Sequence, residues 1–524
     1  MSSYVSEGFI YLYPGLRGRD NGYSGSTLIY SGGAPWGVTD LKAAIRYYRY
    51  NAASLPGDSD KMFVFGHSGG GAQSAVAGAS GDSSLYTPYL EDIGAAMEDA
   101  DGNTISDAVY GAMCWCPITS LDMADAAYEW NMGQYFSTST RASTSWTSAL
   151  SDDLSEAFAT YINKLDLTDE DGNSLTLETS SSGIYAEGTY YDYILSVYEE
   201  SLNNFLSDTS FPATINSTTY KTASAYIAAL NSDETWVTYD SSTNTATISS
   251  VGDFVTNEKS ASKDVPAFDD LDRGQAENNL FGNDDDDYLH FDSTVASLLS
   301  SNSGTYDDYG DWDSDYIDAY ADDIAGTDSL GNTMQYRVNM YNPMYYISSY
   351  YAGYGTANVA PHWRINTGVE QGDTASTVEV NLKLALEHYS GVDSVSFATV
   401  WNEGHTQAER TGSATTNFIS WVNEYSLAKW HTSSIFGTYY QWDANWVYSE
   451  PHGYLYIFDS STTKSLFIYS YDFGWIWTGA DSYPYFYSYN YSAWFYYMEG
   501  TSSPRWFYNY KTSAWCSDTS LGFD

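Results

Sequence analysis

A glycine-flanked serine follows a short apolar run in the first hundred residues of the chain. Residues 62–65 are Met-Phe-Val-Phe, the next five are Gly66-His67-Ser68-Gly69-Gly70, and small residues follow to about residue 79. A Gly-x-Ser-x-Gly turn between a strand and a helix is a nucleophile elbow, which lifts a serine hydroxyl above a parallel sheet. The pattern therefore predicts an α/β fold with Ser68 as a nucleophile. A glycine-rich packing turn is the structural alternative.

Apolar strand-like segments alternate with amphipathic helices on both sides of a long insertion. Strands are predicted at 5–13, 62–66, 108–117, 360–369 and 394–401, and helices at 40–52, 376–389 and 417–430. This alternation is typical of a parallel sheet with crossover helices. We divide the chain into a first core part (1–133), a cap insertion (134–357), a second core part (358–432) and a module of aromatic β-hairpin repeats (433–524).

A serine needs a base and an acid that orients the base, and these follow the nucleophile as Asp or Glu and then His in α/β-hydrolases. His405 lies just after the predicted strand 394–401, and Asp373 follows the preceding strand, with Glu370 as an alternative acid. Both positions emerge at the carboxyl edge of the sheet, where Ser68 also emerges. The backbone N–H of Gly69 is one expected oxyanion donor, and Gly15 or a loop of the cap is a candidate for the second.

Charge and composition exclude several function classes. With 20 Lys and Arg against 68 Asp and Glu, the formal charge of −48 disfavours nucleic acid and anionic membranes. No apolar run approaches the ~20 residues of a membrane span, and no signal peptide is visible after Met1, which leaves localisation open. Three cysteines, Cys114, Cys116 and Cys516, give no disulfide framework.

We predict neither a metal site nor a cofactor. Residues 167–178 nearly fit a calcium-binding loop, but Leu167 occupies the first ligand position, so an Asp-Gly hairpin turn is the better interpretation. The acids Asp284 to Asp287 are predicted to form a solvated loop.

Four segments resemble the tannase and feruloyl-esterase-like branch of the bacterial α/β-hydrolases. They are GHSGGGAQSAVAGAS (66–80), CWCPITSLDMADAAYEW (114–130), HWRINTGVEQGDT (362–374) and VWNEGHTQAER (400–410), and the resemblance extends over about residues 4–428. It implies hydrolysis of phenolic-acid esters by a triad of Ser68, Asp373 and His405. It also implies that Lys263 and Glu277, in the cap segment KDVPAFDDLDRGQAENNLFG, contact phenolic hydroxyls; a structural ion pair is the alternative.

The chain departs from that family in two places, and its aromatic tail lies outside the resemblance. The family's amino-terminal strands and usual oxyanion loop have no counterpart, and Thr374-Ala375 stands where some members carry a second acid. The aromatic tail loosely resembles repeats of bacterial surface proteins, which suggests stacking on sugars and a secreted or surface location; simple hairpin cores are the alternative. The alternative to a serine esterase is therefore a non-catalytic surface or glycan-binding protein with an incomplete hydrolase domain. A further alternative keeps the esterase chemistry but has acetylated glycans or aliphatic esters as substrates.

Overall fold

A computed structural model describes residues 2–520 apart from 20–32, 427–429, 434, 436, 442–444, 450, 459, 460 and 462–464. The chain divides into two compact units, residues 1–419 and 420–524. The α-helices are α1 Ser2–Ser6, α2 Trp36–Tyr50, α3 Gly69–Ala79, α4 Thr87–Asp92, α5 Ala124–Asn131, α6 Trp146–Leu165, α7 Thr189–Asp208, α8 Ala223–Leu230, α9 Val251–Glu258, α10 Ala276–Leu280, α11 Ser293–Ser301, α12 Ser303–Tyr306, α13 Asp315–Ala325, α14 Met334–Met340, α15 Met344–Ile347, α16 Thr377–Glu387 and α17 Ala414–Ser426.

A four-stranded parallel sheet lies at the centre of the first unit, in the order β1-β2-β7-β8. Its strands are β1 Phe63–His67, β2 Gly111–Trp115, β7 His362–Gly368 and β8 Ser394–Val400. The first residues of all four strands are in register, because Phe63 pairs with Gly111, Gly111 with His362, and His362 with Ser394. The α/β class predicted from the sequence is therefore confirmed, and all four carboxyl ends reach the same edge.

The predicted strand at residues 5–13 is wrong. The first helix, α1, occupies Ser2–Ser6, and residues 9–18 form no regular structure, with Leu12 and Tyr13 exposed. The aromatic residues of this segment pack on the sheet instead of forming a strand. The ring of Tyr4 stacks on that of Tyr11, with centroids 5.1 Å apart, and packs against Phe65 of β1 at 5.6 Å. Aromatic packing against the sheet, rather than strand pairing, accounts for this run.

Helices outnumber strands in the long insertion. Its elements are α6 to α15 together with two small hairpins, β3 Ala213–Ile215 with β4 Thr218–Tyr220 and β5 Val237–Asp240 with β6 Thr245–Ile248. Its buried side chains join the same apolar core as the sheet. The segment 167–178 forms the predicted turn, in which Asp169 accepts hydrogen bonds from the backbone of Asp171 and Asn173, and Asp284 to Asp286 are exposed.

The second unit is one ten-stranded antiparallel sheet in sequential order, which confirms the predicted hairpin array. One face carries a core of Val447, Leu455, Ile468, Phe486 and Phe495 with their neighbours. Its strands are β9 Trp430–Ser433, β10 Gly437–Gln441, β11 Trp446–Ser449, β12 Gly453–Ile457, β13 Leu466–Ser470, β14 Gly474–Thr478, β15 Tyr485–Ser488, β16 Ala493–Tyr497, β17 Trp506–Asn509 and β18 Ala514–Ser517. Among the helices described here, none combines the length and apolarity needed to span a bilayer.

Candidate active site

Ser68 occupies a strained turn between β1 and α3. Its backbone has φ 59° and ψ −124°, a conformation that L-residues rarely adopt and that clusters at functional sites. The Ser68 N–H donates to the Trp115 carbonyl at 3.0 Å, and the Ser68 carbonyl accepts from Ala72 N–H at 2.9 Å, so β2 and α3 hold both ends of the turn. This geometry agrees with the nucleophile elbow expected from the sequence.

Two glycines make the turn possible by close approach. A Cβ at Gly66 would lie 2.2 Å from the carbonyl carbon and oxygen of Gly70, and a Cβ at Gly71 would lie 2.6 Å from the Trp115 carbonyl oxygen. A Cβ at Gly70 meets nothing within 4 Å. Packing between β1, β2 and α3 therefore requires glycine at 66 and 71, and the glycine at 70 is not constrained in this way.

The carboxyl ends of four neighbouring strands supply the polar residues of the site. Ser68 follows β1, Cys116 follows β2, the loop 371–373 follows β7, and His405 follows β8. The ring of His405 lies 4.8 Å from that of His67, the residue immediately before Ser68, and Cys116 donates its S–H to the Thr406 carbonyl at 3.2 Å. The fold thus brings His405 beside the elbow. Ligand binding at this edge is the rule for open α/β sheets.

The partner of His405 differs from the sequence expectation. Its Nδ1 lies 2.8 Å from Gln371 Oε1 and 3.7 Å from Asp373 Oδ2, and about half of the Asp373 side chain is exposed. Since a glutamine oxygen can only accept, His405 Nδ1 is the protonated nitrogen in this contact, and Nε2 is left as the basic nitrogen. Asp373 is thus near His405, but Gln371 makes the hydrogen bond.

A buried network fixes Gln371 from behind. Its side-chain Nε2 donates to Glu379 Oε1 at 2.8 Å and to Thr367 Oγ1, while its backbone carbonyl oxygen accepts from Lys259 Nζ. Burial raises the pKa of Glu379 to about 7, and burial lowers the pKa of Lys259 to about 8, with each charge stabilising the other. The amide of Gln371 therefore has one orientation, with its oxygen toward His405.

Glu370, the alternative acid, faces another part of the insertion. It accepts a backbone hydrogen bond from Asn402, and its charge acts on Glu258 at the end of α9. Burial first, and then repulsion from Glu403, raises its pKa to about 7. None of the contacts found among the described residues joins Glu370 to His405, so the structure does not favour it as the orienting acid.

Lys263 lies close to the loop that follows β7. The hydroxyl of Tyr128 accepts from Lys263 N–H at 3.1 Å and donates to the Gly372 carbonyl at 3.1 Å, which ties the two segments together. The ammonium group of Lys263 lies over the ring of Phe268, 3.8 Å from its centroid. The residues on either side of Gly372 are Gln371 and Asp373, so Lys263 is a near neighbour of the site.

Glu277, on α10, has a buried oxygen, Oε2, that lacks a hydrogen-bond partner in the described part of the chain. Burial raises the pKa of the adjacent Tyr341, and the charge of Glu277 raises it further. No ion pair joins Glu277 and Lys263 within the ranges that the structure describes. An unpaired buried carboxylate is costly, which makes a structural ion pair the poorer interpretation of this residue.

The first part of the 263–282 segment is anchored to the core through Asp125 of α5. The Asp125 carboxylate accepts from Phe268 N–H at 2.7 Å and from Asp269 N–H at 3.1 Å. Burial first, and then the neighbouring charge of Asp269, raises the pKa of Asp125 to about 7. Neither this anchor nor Gln371 was identified from the sequence; for Gln371, proximity to Asp373 in the same loop was the only available signal.

Gly69 begins α3, so its backbone N–H points out of the first helical turn and has no intrahelical acceptor. This is the geometry expected of an oxyanion donor. Gly15 is exposed in an irregular segment, and no contact between it and the site occurs among the residues described. A second donor thus has no assigned residue.

Comparisons with known proteins agree with this architecture. The sequence model of the BD-FAE family matches residues 27–126, which include β1, the elbow and β2. A tannase from Fusobacterium nucleatum is similar at 28% identity and a TM-score of 0.59, covering 81% of this chain and 79% of that one. The chain has a tannase-like α/β-hydrolase fold.

Other solved structures give the same result. Native tannin acyl hydrolase from Lactobacillus plantarum is 26% identical with a TM-score of 0.57, and covers 78% of this chain and 75% of that one. Tannin acyl hydrolase in complex with ethyl gallate is 26% identical over the same shares with a TM-score of 0.56. No curated protein sequence matches the chain. These similarities support the expectation of a tannase-like ester hydrolase.

Proposed function

We propose that the first unit hydrolyses carboxylic esters of phenolic acids by serine acyl transfer. The observation that carries the proposal is the backbone of Ser68, held at φ 59° at the start of α3 beside His405. A positive φ at a serine between a strand and a helix costs free energy, and such backbone strain is retained where the turn presents a nucleophile. The similarity to tannases, including one in complex with ethyl gallate, supports a phenolic acyl group.

In the proposed reaction, Ser68 Oγ attacks the ester carbonyl while His405 Nε2 takes its proton. The Gly69 N–H stabilises the oxyanion, and His405 then protonates the departing alcohol oxygen. Water then attacks the acyl-enzyme while His405 takes a proton from it. His405 returns a proton to Ser68 Oγ as the acid is released. No cofactor enters these steps, because each proton moves between Ser68, His405 and the substrate.

Asp373 is proposed as the acid of the triad, with Gln371 as a second acceptor for the same ring N–H. The imidazolium that forms during attack needs a negative partner, and Asp373 Oδ2 at 3.7 Å is close enough to stabilise it electrostatically. Catalytic hydrogen bonds are often long in the free enzyme and shorten when substrate binds. Gln371 would hold the tautomer, and Asp373 would stabilise the charge.

Lys263 and Glu277 are proposed to bind the phenolic ring hydroxyls. The unpartnered Glu277 Oε2 is an acceptor for a hydroxyl proton, and the Lys263 ammonium is a donor to a hydroxyl oxygen. Burial makes such charge-assisted bonds specific, because a substrate without hydroxyls leaves the carboxylate unpaired. Thr374 and Ala375 supply no carboxylate, so we propose an ester hydrolase with a broader choice of phenolic acids than gallate alone.

Substrate profiling tests this function. Methyl gallate, methyl ferulate and p-nitrophenyl acetate would be compared with wild-type protein and Ser68→Ala. We expect the phenolic esters to give the higher kcat/KM, with no turnover above background in the variant. Preference for p-nitrophenyl acetate would instead support aliphatic or acetyl esters as substrates. Turnover that persists in Ser68→Ala would overturn the serine mechanism.

A second function, polysaccharide binding, is favoured by one face of the second unit. Aromatic side chains from neighbouring strands stand side by side there: Trp446 pairs with Tyr456, Tyr469 with Trp475, Tyr487 with Trp494 and Tyr508 with Trp515. Ring centroids in these pairs lie 5.3, 5.6, 5.7 and 5.4 Å apart, and the four tryptophans are 40–46% exposed. We call these eight residues the aromatic ladder.

Strands lie about 4.8 Å apart, so the aromatic ladder offers stacking surfaces at regular short intervals. Such a surface suits a chain of sugar rings, whose apolar faces stack on aromatic side chains. The negative charge of the protein favours neutral glycans over anionic ones.

Sedimentation of the full chain with insoluble neutral polysaccharides would test this binding. We expect Trp475→Ala and Trp494→Ala to lose retention on the polymer, and the turn variant Tyr471→Ala to keep it. No retention of the wild type on any such polymer would contradict the idea.

A further inference from the structure

Three side chains with nitrogen or sulfur donors meet beside the elbow: His67, Cys116 and His405. One ligand atom of each lies within 4.8 Å of those of the other two. We propose that these residues, the His–Cys–His cluster, form a binding site for a divalent cation of the zinc type, and that the bound ion inhibits the hydrolase by occupying His405. The site extends beyond the proposed ester hydrolysis, and only its inhibitory effect depends on that function.

Each imidazole offers one ring nitrogen to a metal ion. His67 Nε2 is buried and has no hydrogen-bond partner among the described residues. On His405, Gln371 accepts from Nδ1 and leaves Nε2 as the ligand. A partner that fixes the second ring nitrogen is the usual companion of a metal-binding histidine.

Cys116 contributes the sulfur. It has φ 43°, which is uncommon for a residue with a side chain, and strain of this kind clusters at binding and catalytic sites. The Cys116 S–H donates to the Thr406 carbonyl at 3.2 Å, so the sulfur is a thiol before a cation binds. Cation binding would form the metal–sulfur bond as the S–H bond breaks, with the proton passing to solvent.

The donor set favours zinc over harder cations. One thiolate and two neutral imidazoles match the ligands of Zn²⁺, whereas Mg²⁺ and Ca²⁺ prefer oxygen. Tetrahedral bonds of about 2.0–2.3 Å would place the donors about 3.3–3.7 Å apart, so side chains now within 4.8 Å need to close by about 1 Å. Three protein ligands leave a fourth position open. An ion bound to His405 Nε2 occupies the lone pair that would take the Ser68 proton, so the serine would not be activated.

Cobalt titration of the full, metal-free chain tests the site, because Co²⁺ replaces Zn²⁺ and gives a sulfur-to-metal charge-transfer band only when a thiolate binds it. We expect one equivalent to produce the band and Zn²⁺ to displace it. Cys116→Ser should abolish the band and weaken Zn²⁺ binding by about 100-fold or more, since losing even an outer partner costs about 10–100-fold. Cys114→Ser, which alters a thiol buried in the apolar core, is the matched control and should keep the band.

Labelling of Ser68 by a fluorophosphonate probe then tests whether an ion in the His–Cys–His cluster inhibits the serine. We expect Zn²⁺ to slow labelling of the wild type and of Cys114→Ser, and to affect Cys116→Ser at about 100-fold higher concentration. A cobalt band that survives in Cys116→Ser, or no band in the wild type, would overturn the site. A normal band with labelling indifferent to Zn²⁺ would overturn the inhibition. A normal band in a chain that the probe never labels would leave the metal site standing and count against the proposed hydrolase.

Discussion

His405 Nδ1 lies 2.8 Å from the amide oxygen of Gln371, closer than the 3.7 Å that separates it from the Asp373 carboxylate. A neutral amide can hold the ring and its tautomer, but it stabilises an imidazolium less than an anion does. Gln371 is in turn held by Glu379 and Lys259, both buried. The two candidate partners of His405 therefore have separable roles, and two variants distinguish them.

Asp373→Asn should leave the fold intact and lower kcat by about 10³–10⁴-fold, because the charged partner of the imidazolium is lost. Gln371→Ala should lower kcat by about fivefold, which corresponds to one neutral hydrogen bond of about 1 kcal/mol. Steady-state kinetics on a phenolic ester and circular dichroism of both variants measure this. If Gln371→Ala is the more severe change in a folded protein, Gln371 is the orienting residue and the role proposed for Asp373 is wrong.

Gly66→Ala should disrupt the elbow, whereas Gly70→Ala should not. The new Cβ at 66 would lie 2.2 Å from the Gly70 carbonyl group, and backbone on both sides cannot yield, so we expect a loss of about 3 kcal/mol or more in the free energy of unfolding. Position 70 is open, with no atom within 4 Å of a Cβ. Chemical denaturation of the pair provides the measurement. Equal stability of the two variants would show that the turn is not packed as described.

Glu277→Gln should lower kcat/KM for methyl gallate by about 10–100-fold, since a charge-assisted hydrogen bond of about 1.5–3 kcal/mol is lost. Methyl benzoate, which carries no ring hydroxyls, is the control substrate and should be hydrolysed equally by both proteins. A parallel loss on methyl benzoate would indicate that Glu277 maintains the structure rather than binds hydroxyls.

The stability of the first unit should fall as pH rises from about 4.5 to 7. Burial raises the pKa of both Glu258 and Glu370 from 4.5 to about 7, so the folded state binds more protons than the unfolded state in this window. Their stabilising protonation is therefore complete below pH 4.5 and is lost as pH passes 7.

Glu258→Gln should reduce this pH dependence by removing one of the two carboxyl groups, raising Tm at pH 8 by about 2–4 °C. Glu91→Gln, at an exposed position of α4, is the control and should keep the wild-type slope. Thermal unfolding followed at several pH values measures both. A Tm for the wild type that rises toward pH 8 would contradict the assignment.

Much of the fold could be predicted from local sequence pattern. The elbow, the strand 108–117, the strand 394–401 and the aromatic hairpins all have a strong periodic or turn signal within about ten residues. The strand prediction for residues 5–13 is wrong because aromatic residues in this pattern fit both a strand and a loop packed on Phe65. Hydrophobic content alone does not distinguish those two outcomes.

Part of the candidate site could also be predicted, because the ends of parallel strands converge. Ser68 and His405 are each marked by a turn after a buried strand, and parallel strands bring such turns to one edge. The contact of Gln371 with His405 depends on Glu379, Thr367 and Lys259, which lie on three separate elements and whose joint effect has no local signature. The same holds for Cys116, whose place beside both histidines follows from the pairing of β1, β2, β7 and β8 in one sheet.

Whether Ser68 is an activated nucleophile can be decided by fluorophosphonate labelling of the purified wild type beside Ser68→Ala, with the modified residue located by mass spectrometry. The probe reacts only with a serine that a base has activated. We expect one label, on Ser68, in the wild type and none in the variant. A folded wild-type protein that takes no label, or a label on another residue, would contradict it and favour a non-catalytic binding protein.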